Sequence, residues 1–285
     1  MKISKLFKTK TVYSFEIFPP KKTSPIDTIY TTLDELKGLS PDFISVTYGA
    51  GGSSNKDATI EIASAIKNKY NLESVAHLPC IYLTKENVYE MLKEFNNKSI
   101  ENILALRGDI NPDIPPKKDF KYASDLISFI KENGNFNTIA ACYPEGHTES
   151  KSLKEDIKNL KYKVDSGANH LITQLFFDNN CFYYFLELVR KEGIDVPIQA
   201  GIMPVTNKNQ IDRIVKLSGA TLPKKFTAML DKYENKDLEL KEAGIEYAIE
   251  QILDLISQGV DGIHLYTMNN PYVAKKVTEA ISSKI

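Results

Sequence analysis

The chain has no tryptophan, only three cysteines, no long apolar run and almost no net charge. Each shortage excludes something. Cys80, Cys142 and Cys181 are odd in number, widely spaced and without a C-x-x-C pair. Neither a disulfide framework nor a zinc site is indicated, so no bound metal is expected. Each cysteine reads as a small apolar residue of the interior. A formal charge of -1 from intermixed acids and bases argues against a nucleic-acid footprint or a polybasic membrane patch. No stretch approaches the length of a membrane span. Residues 1–10 carry four lysines, but the apolar stretch of a secretory signal does not follow. A cytoplasmic protein is the expectation.

What is present is a repeat of short apolar runs, each followed by a polar or Gly/Pro-containing turn and a helical pattern. Strands are expected at 12–18, 43–48, 74–78, 103–106, 138–143, 170–175, 197–202 and 262–266. Helical spacing follows in Ile60, Ala63 and Ile66, in Leu126, Phe129 and Ile130, and in Ile245, Ala248, Ile249, Ile252, Leu253 and Ile256. Strands alternating with helices imply parallel pairing, and about eight such units close into an α/β (β/α)₈ barrel, a TIM barrel. A doubly wound open sheet is the rival. It wants a Gly-rich turn after the first strand, where this chain has Pro19-Pro20-Lys21-Lys22. The proline-bearing stretch 109–122 reads as a long loop. The interval before the last strand is about twice the usual ~30-residue βαβ unit, and an extra helix is expected at 224–233. No linker or low-complexity tract interrupts residues 1–285, which read as a single domain.

Glu16 stands out in the first strand, in Val12-Tyr13-Ser14-Phe15-Glu16-Ile17-Phe18. Alternation puts Ser14 and Glu16 on one face, Phe15 and Ile17 on the other. Apolar neighbours strip water from a carboxyl and raise its pKa, which suits a general acid near neutral pH. A surface Glu on an edge strand is the plain alternative. Other polar residues fall at strand ends, the rim where barrel enzymes do chemistry. These are Thr47, His77, Arg107-Gly108-Asp109, Tyr143 and Gln174. Alternatives stand beside each. Thr47 suits a strand as a β-branched residue, and His77 suits a satisfied core position. Arg107 and Asp109 suit an exposed pair, and Gln174 suits a buried amide bonded to backbone. Gly49, Gly51 and Gly52 allow close backbone approach or merely a turn. His170 and His264 show no spacing of a ligand pair. From His147 a loop leads into a helix capped by Ser152, with Glu155 at capping-box distance. Asp156, Asn159 and Lys163 recur on one face of that helix.

Taken in order, these motifs resemble the methylenetetrahydrofolate reductase family. They are Phe-Glu-Ile-Phe-Pro-Pro at 15–20, Ser-Val-Thr-Tyr-Gly-Ala-Gly-Gly-Ser at 45–53 and Ala-His-Leu-Pro-Cys at 76–80. Ala-Leu-Arg-Gly-Asp at 105–109, Tyr-Ala-Ser-Asp at 122–125 and Tyr-Pro-Glu-Gly-His at 143–147 follow. Ile-Thr-Gln-Leu-Phe-Phe-Asp at 172–178 and Gly-Ile-Met-Pro-Val at 201–205 complete the set. The resemblance implies an FAD-dependent barrel that reduces 5,10-methylenetetrahydrofolate to 5-methyltetrahydrofolate in one-carbon metabolism and methionine biosynthesis. NADH or NADPH would reduce the flavin and leave before the folate takes the hydride. By similarity Glu16 is the general acid that opens the folate methylene bridge, and Asp109 lies near the flavin and contacts the pterin. Thr47 and Gln174 would contact the nicotinamide donor, with Gln174 and Gln210 on the folate. The FAD shell by similarity is Tyr48, Ala50, His77, Arg107, Gly108, Asp109, Ala123, Tyr143, His147, Ser150, Asp156, Asn159 and Lys163. Tyr162, Ile214 and Asn270 depart from the family pattern, at a basic FAD contact, an aromatic substrate contact and a folate-binding arginine respectively. Those departures leave room for a flavin-binding subunit of a larger redox complex served by a partner protein; a homo-oligomer is a separate possibility. A flavin-free barrel aldolase or isomerase is the other alternative.

Overall fold

In the computed structural model eight parallel strands close into a barrel in sequence order, with helices outside. The structure describes residues 1–20, 25–48 and 56–285, with backbone only at 56, 209, 210, 212, 213 and 217. The strands are β1 (Val12–Ile17), β2 (Phe43–Val46), β3 (Glu73–Pro79), β4 (Asn102–Leu106), β5 (Asn137–Cys142), β6 (His170–Thr173), β7 (Ile198–Ile202) and β8 (Gly262–Tyr266). The open-sheet alternative is thereby excluded, because β1 pairs with both β2 and β8. Strand ends differ from the expected ones by one or two residues. The last apolar residues of several runs belong to the rim, where the chain has left the ladder. The helices are α1 (Asp27–Lys37), α2 (Lys56–Asn68), α3 (Lys85–Asn97), α4 (Ala123–Asn133), α5 (Leu153–Asp165), α6 (Asn179–Lys191), α7 (Lys208–Ser218), α8 (Lys224–Lys232), α9 (Asp237–Ser257) and α10 (Pro271–Ile281). The expected extra helix is α8, and the stretch after β4 is an irregular loop up to α4.

Strand alternation sorts the apolar residues into two layers. Phe15, Ile17, Ile44, Val46, Ala76 and Leu78 face outward and pack under the helices. Val12, Phe43, Val75, Leu104, Ile139 and Ile172 face inward and form the barrel floor. A 3₁₀-helix at Ile3–Lys8 lies across that floor and adds Ile3, Leu6 and Phe7 to it. It is tied down by Ile3 N–H donating to Asn102 Oδ1 at 3.0 Å and by the terminal amine on Glu73 at 2.7 Å. A third cluster, with Leu175, Phe177, Val205, Phe226 and Leu240 at its centre, joins the β6 and β7 exits to α8 and α9. There α9 crosses the chain so closely that a Cβ on Gly244 would stand 1.7 Å from Val205 O.

His170 begins β6 on this floor. It is fully buried, its ring is 4.8 Å from Phe7, and neither ring nitrogen has a hydrogen-bond partner. Burial, helped by His264, drives its pKa down to about 3. The imidazole is therefore neutral in the folded chain, while an unfolded His titrates near ~6.5. Its contribution to stability is complete above that value and is lost as pH falls from there toward 3, by up to ~1.4 kcal/mol per pH unit. The urea midpoint of His170→Leu is expected to fall less steeply than wild type below pH 6.5. Parallel acid limbs would remove His170 from the account.

Candidate functional site

The inner face of β1 carries Glu16 to the barrel mouth, with Ser14 one layer below. Glu16 Oε2 lies 3.4 Å from His77 Nε2 on β3 and 3.5 Å from His264 Nε2 on β8. It also accepts from the Ser45 hydroxyl on β2 at 3.5 Å. The His77 approach lacks hydrogen-bond geometry. The Glu16 side chain keeps 19% of its surface exposed, so it is neither an edge-strand surface residue nor sealed in. Below it, His264 Nδ1 is 2.7 Å from Ser14 Oγ, which accepts from Gln199 Nε2 at 3.0 Å. The β8 exit clamps β1 from above. Thr267 Oγ1 donates to Glu16 O at 2.7 Å, and the Asn269 amide brackets Phe18, accepting from its N–H at 3.0 Å and donating to its carbonyl at 2.8 Å. Asn269 does this from the left-handed region, at φ 54°, which Asn tolerates better than most residues.

The electrostatics here correct the sequence expectation. Burial does push the Glu16 carboxyl up. The His264 hydrogen bond, the charges of His77 and His264 and the Ser45 hydroxyl outweigh it, and the group is held below the usual carboxylate range. The aromatic neighbours that suggested the opposite point away, under the helices. Burial likewise holds His77 below the ordinary imidazole value, against the pull of Glu16.

A second group lines the rim after β4 and β5. Arg107 does not pair with Asp109, which is exposed. Its guanidinium forks onto Glu149 at 2.6 and 2.7 Å across the gap to the β5–α5 loop. Gly108 follows at φ +91°, where an added Cβ would meet that of Pro79 at 3.0 Å. Tyr143 meets His147 edge to face at 4.7 Å, and the Lys163 ammonium lies 5.5 Å from the Tyr143 ring centre. Lys163 Nζ also donates to Ala141 O at 2.9 Å, and Ser150 Oγ donates to Asp156 Oδ1 at 3.0 Å. Ser152 caps α5 by accepting from Glu155 N at 3.2 Å. That fixes the rotation of α5, so Asp156 is buried against the rim while Asn159 is exposed. Burial lowers the Lys163 pKa despite Asp156 nearby. Ala123 opens α4 as a buried residue. Tyr48 is half-buried, and burial and Asp57 raise its phenol.

Of the remaining expected positions, Gln174 and Thr47 are half-buried at the β6 and β2 exits. Gln174 Oε1 accepts from Leu175 N at 2.9 Å, and the Thr47 carbonyl accepts from Thr59 Oγ1 at 2.9 Å. Ala50 and the glycines at 49, 51 and 52 lie outside the described residues, as does the side chain of Gln210. Among the departures, Ile214 packs into the third apolar cluster and Asn270 caps α10, accepting from Val273 N at 3.4 Å. Tyr162 is 66% exposed on α5. Sequence reasoning placed Ser14 on the Glu16 face but gave no role to it, nor to His264, Ser45, Gln199 or Glu149. The alternation Gly262, His264, Tyr266 carried the one usable signal, since it puts His264 on the same face as a rim tyrosine.

The rim thus offers two chemistries side by side: a carboxyl among imidazoles, and a cationic and hydroxyl-bearing wall with an aromatic face. Among the described residues no His/Cys/Asp/Glu group is arranged to hold a metal, and no helix is long and apolar enough to cross a membrane. A solved protein from Clostridium thermocellum, described as binding two copies of 5-methyl-5,6,7,8-tetrahydrofolic acid, superposes with a TM-score of 0.67 over 100% of this chain and 99% of its own at 13% identity. That likeness is one of fold. The 5,10-methylenetetrahydrofolate reductase of Pectobacterium carotovorum subsp. carotovorum is 40% identical over 90% of this chain and 85% of its own length. That of Escherichia coli (strain K12) is 38% identical over 90% and 86%. The sequence pattern described as Methylenetetrahydrofolate reductase spans residues 2–282. With that pattern running nearly end to end through a barrel whose mouth carries Glu16, the chain belongs to the methylenetetrahydrofolate reductase family.

Proposed function

We infer that residues 1–285 form one catalytic unit that reduces 5,10-methylenetetrahydrofolate to 5-methyltetrahydrofolate with FAD as resident cofactor, NADH or NADPH as donor and Glu16 as general acid. Methylenetetrahydrofolate reduction follows from the family. It also sets aside the flavin-free aldolase or isomerase. The observation that carries the finer reading is the Glu16 carboxyl at the mouth, ringed by His77, His264 and Ser45.

The donor set fits FAD. Arg107, Lys163 and His147 suit its anionic part, Ser150 and Asp156 its hydroxyls, and Tyr143 offers an aromatic face. The half-buried Lys163 ammonium is a cation already withdrawn from water, donating to Ala141 O. When bound, FAD would supply a two-electron carrier between nicotinamide and folate. The protein's own part is to orient and to place protons. Glu16 gives a proton to the departing folate nitrogen, without which the methylene bridge stays closed to hydride. Asp109 and Gln174 hold the pterin and Thr47 faces the donor, with Gln210 as a further folate contact. Asn270 and Ile214 are occupied with capping and packing, so the donor is assigned on the rest of the rim. The same reading assigns a cytoplasmic role in methyl supply for methionine synthesis.

The purified protein is expected to be yellow and to bleach anaerobically with NADH or NADPH. Methylenetetrahydrofolate is then expected to restore the colour. A reduced flavin that stays bleached with that folate present would overturn the reading.

A further inference from the structure

A general acid must carry a proton when its substrate sits beside it. Yet Glu16 in this arrangement is surrounded by groups that favour its ionised form: two imidazoles and a hydroxyl within 3.5 Å. Something must deliver the proton at the right moment, inside a mouth that a bound folate closes to water. The groups below Glu16 supply an answer, which rests on the reading of Glu16 as the acid.

We propose that Glu16 and His264 share one proton, and that His264 is the positioning residue that passes it to the carboxyl when folate fills the mouth. The hydrogen-bond inventory supports this. Ser14 Oγ accepts from Gln199 Nε2 at 3.0 Å, and its own hydroxyl donates to Ile263 O at 3.4 Å. Because that hydroxyl has Ile263 O as an acceptor, Ser14 Oγ can make its 2.7 Å contact with His264 as the acceptor of Nδ1–H. Nε2 then faces Glu16 Oε2 at 3.5 Å, with the Ser45 hydroxyl at 3.4 Å. One proton between Nε2 and Oε2 satisfies both atoms. Two protons there clash, and with none the Nε2 lone pair and the carboxylate compete for the one Ser45 hydroxyl.

The transfer conserves charge. The Nε2–H bond of the imidazolium breaks, with its electron pair staying on nitrogen, and the Oε2–H bond forms. Imidazolium and carboxylate become imidazole and carboxylic acid, while Nδ1–H stays on Ser14. A dry mouth penalises two charges far more than two neutral groups, so ligand entry itself drives the proton to Glu16. The other titratable groups facing His264 are His77 on β3, His170 on β6 and Tyr266 on β8. Burial keeps His77 and His170 below the ordinary imidazole value and Tyr266 well above the ordinary phenol value. None of the three is set to compete for this proton.

The test adds 5-methyltetrahydrofolate to the purified protein carrying its cofactor near pH 7. Difference infrared spectroscopy reads the protonated carboxyl, assigned by its loss in Glu16→Gln. Calorimetry in two buffers of different ionisation enthalpy reads proton uptake. Wild type is expected to show the protonated carboxyl with well under half a proton drawn from buffer. His264→Gln is expected either to draw about one proton per folate or to lose most of the carboxyl signal. Ser14→Ala, a gentler change should the first variant not fold, is expected to move both readings in the same direction. A full proton drawn by wild type, or variants that match it in both readings, would overturn the proposal. Retention of the folate half-reaction by Glu16→Gln would instead sink the general-acid reading, while the two measurements still judge the shared proton.

Discussion

Glu16→Gln is expected to slow reoxidation of the reduced flavin by methylenetetrahydrofolate about 10³-fold, within the ~10²–10⁴-fold range of a lost general acid. Reduction of the flavin by the nicotinamide donor should change by less than about threefold, since that hydride transfer needs no proton from the carboxyl. Glutamine keeps the length and planarity of the side chain. It keeps an acceptor for Ser45 and its amide can face the rim, so the frame around it, clamped by Thr267 and Asn269, should hold. What it cannot do is give up a proton. Stopped-flow absorbance of the two half-reactions, run separately, checks this. Equal loss in both halves would make Glu16 a structural residue, and the assignment of the acid would fail.

Gly244→Ala is expected to destabilise the protein by about 3 kcal/mol, the upper end of ordinary overpacking, or on the order of 6–10 °C in melting temperature. Helix propensity alone predicts the opposite, since alanine in a helix interior gains about 1 kcal/mol over glycine. The contact decides the sign. An added Cβ would fall 1.7 Å from Val205 O and 2.8 Å from its carbonyl carbon. Both are backbone atoms, and no rotamer relieves the overlap. Either α9 must lift off the β7 exit or Val205 must move, and Val205 is part of the fully packed cluster beside Leu175 and Phe177. A melting temperature at or above that of wild type would show that α9 has slack at this crossing.

The barrel was legible because its signals are local. Each strand is buried on both faces and so reads as a short apolar run, and each turn or helix that follows breaks the run. Eight runs in order, with proline rather than glycine after the first, were enough to select closure over an open sheet. Glu16 was legible for the same reason, as the one carboxylate in an apolar strand. Its electrostatics were not. Phe15 and Ile17 are its neighbours in sequence but face the helices, whereas the groups that set its charge come from β2, β3 and β8. His264 was passed over because its partners Ser14, Gln199 and Glu16 are distant in sequence and only the closed ladder brings them together. The partner of Arg107 was hidden for a similar reason, and the plain alternative of a pair with Asp109 does not hold. Asp109 is two residues away but points to solvent, and Glu149 arrives from the next loop. The departures at Asn270 and Ile214 looked like lost ligand contacts. Each turns out to have work within the fold, in a helix cap and in a packed cluster.

The short N-terminal helix that rests on Val12, Phe43 and Ile139 thickens the plug beneath the barrel mouth. With Ile3 and Phe7 wedged into the base and the first amine anchored to Glu73, the end of the barrel away from Glu16 is packed by chain that precedes β1.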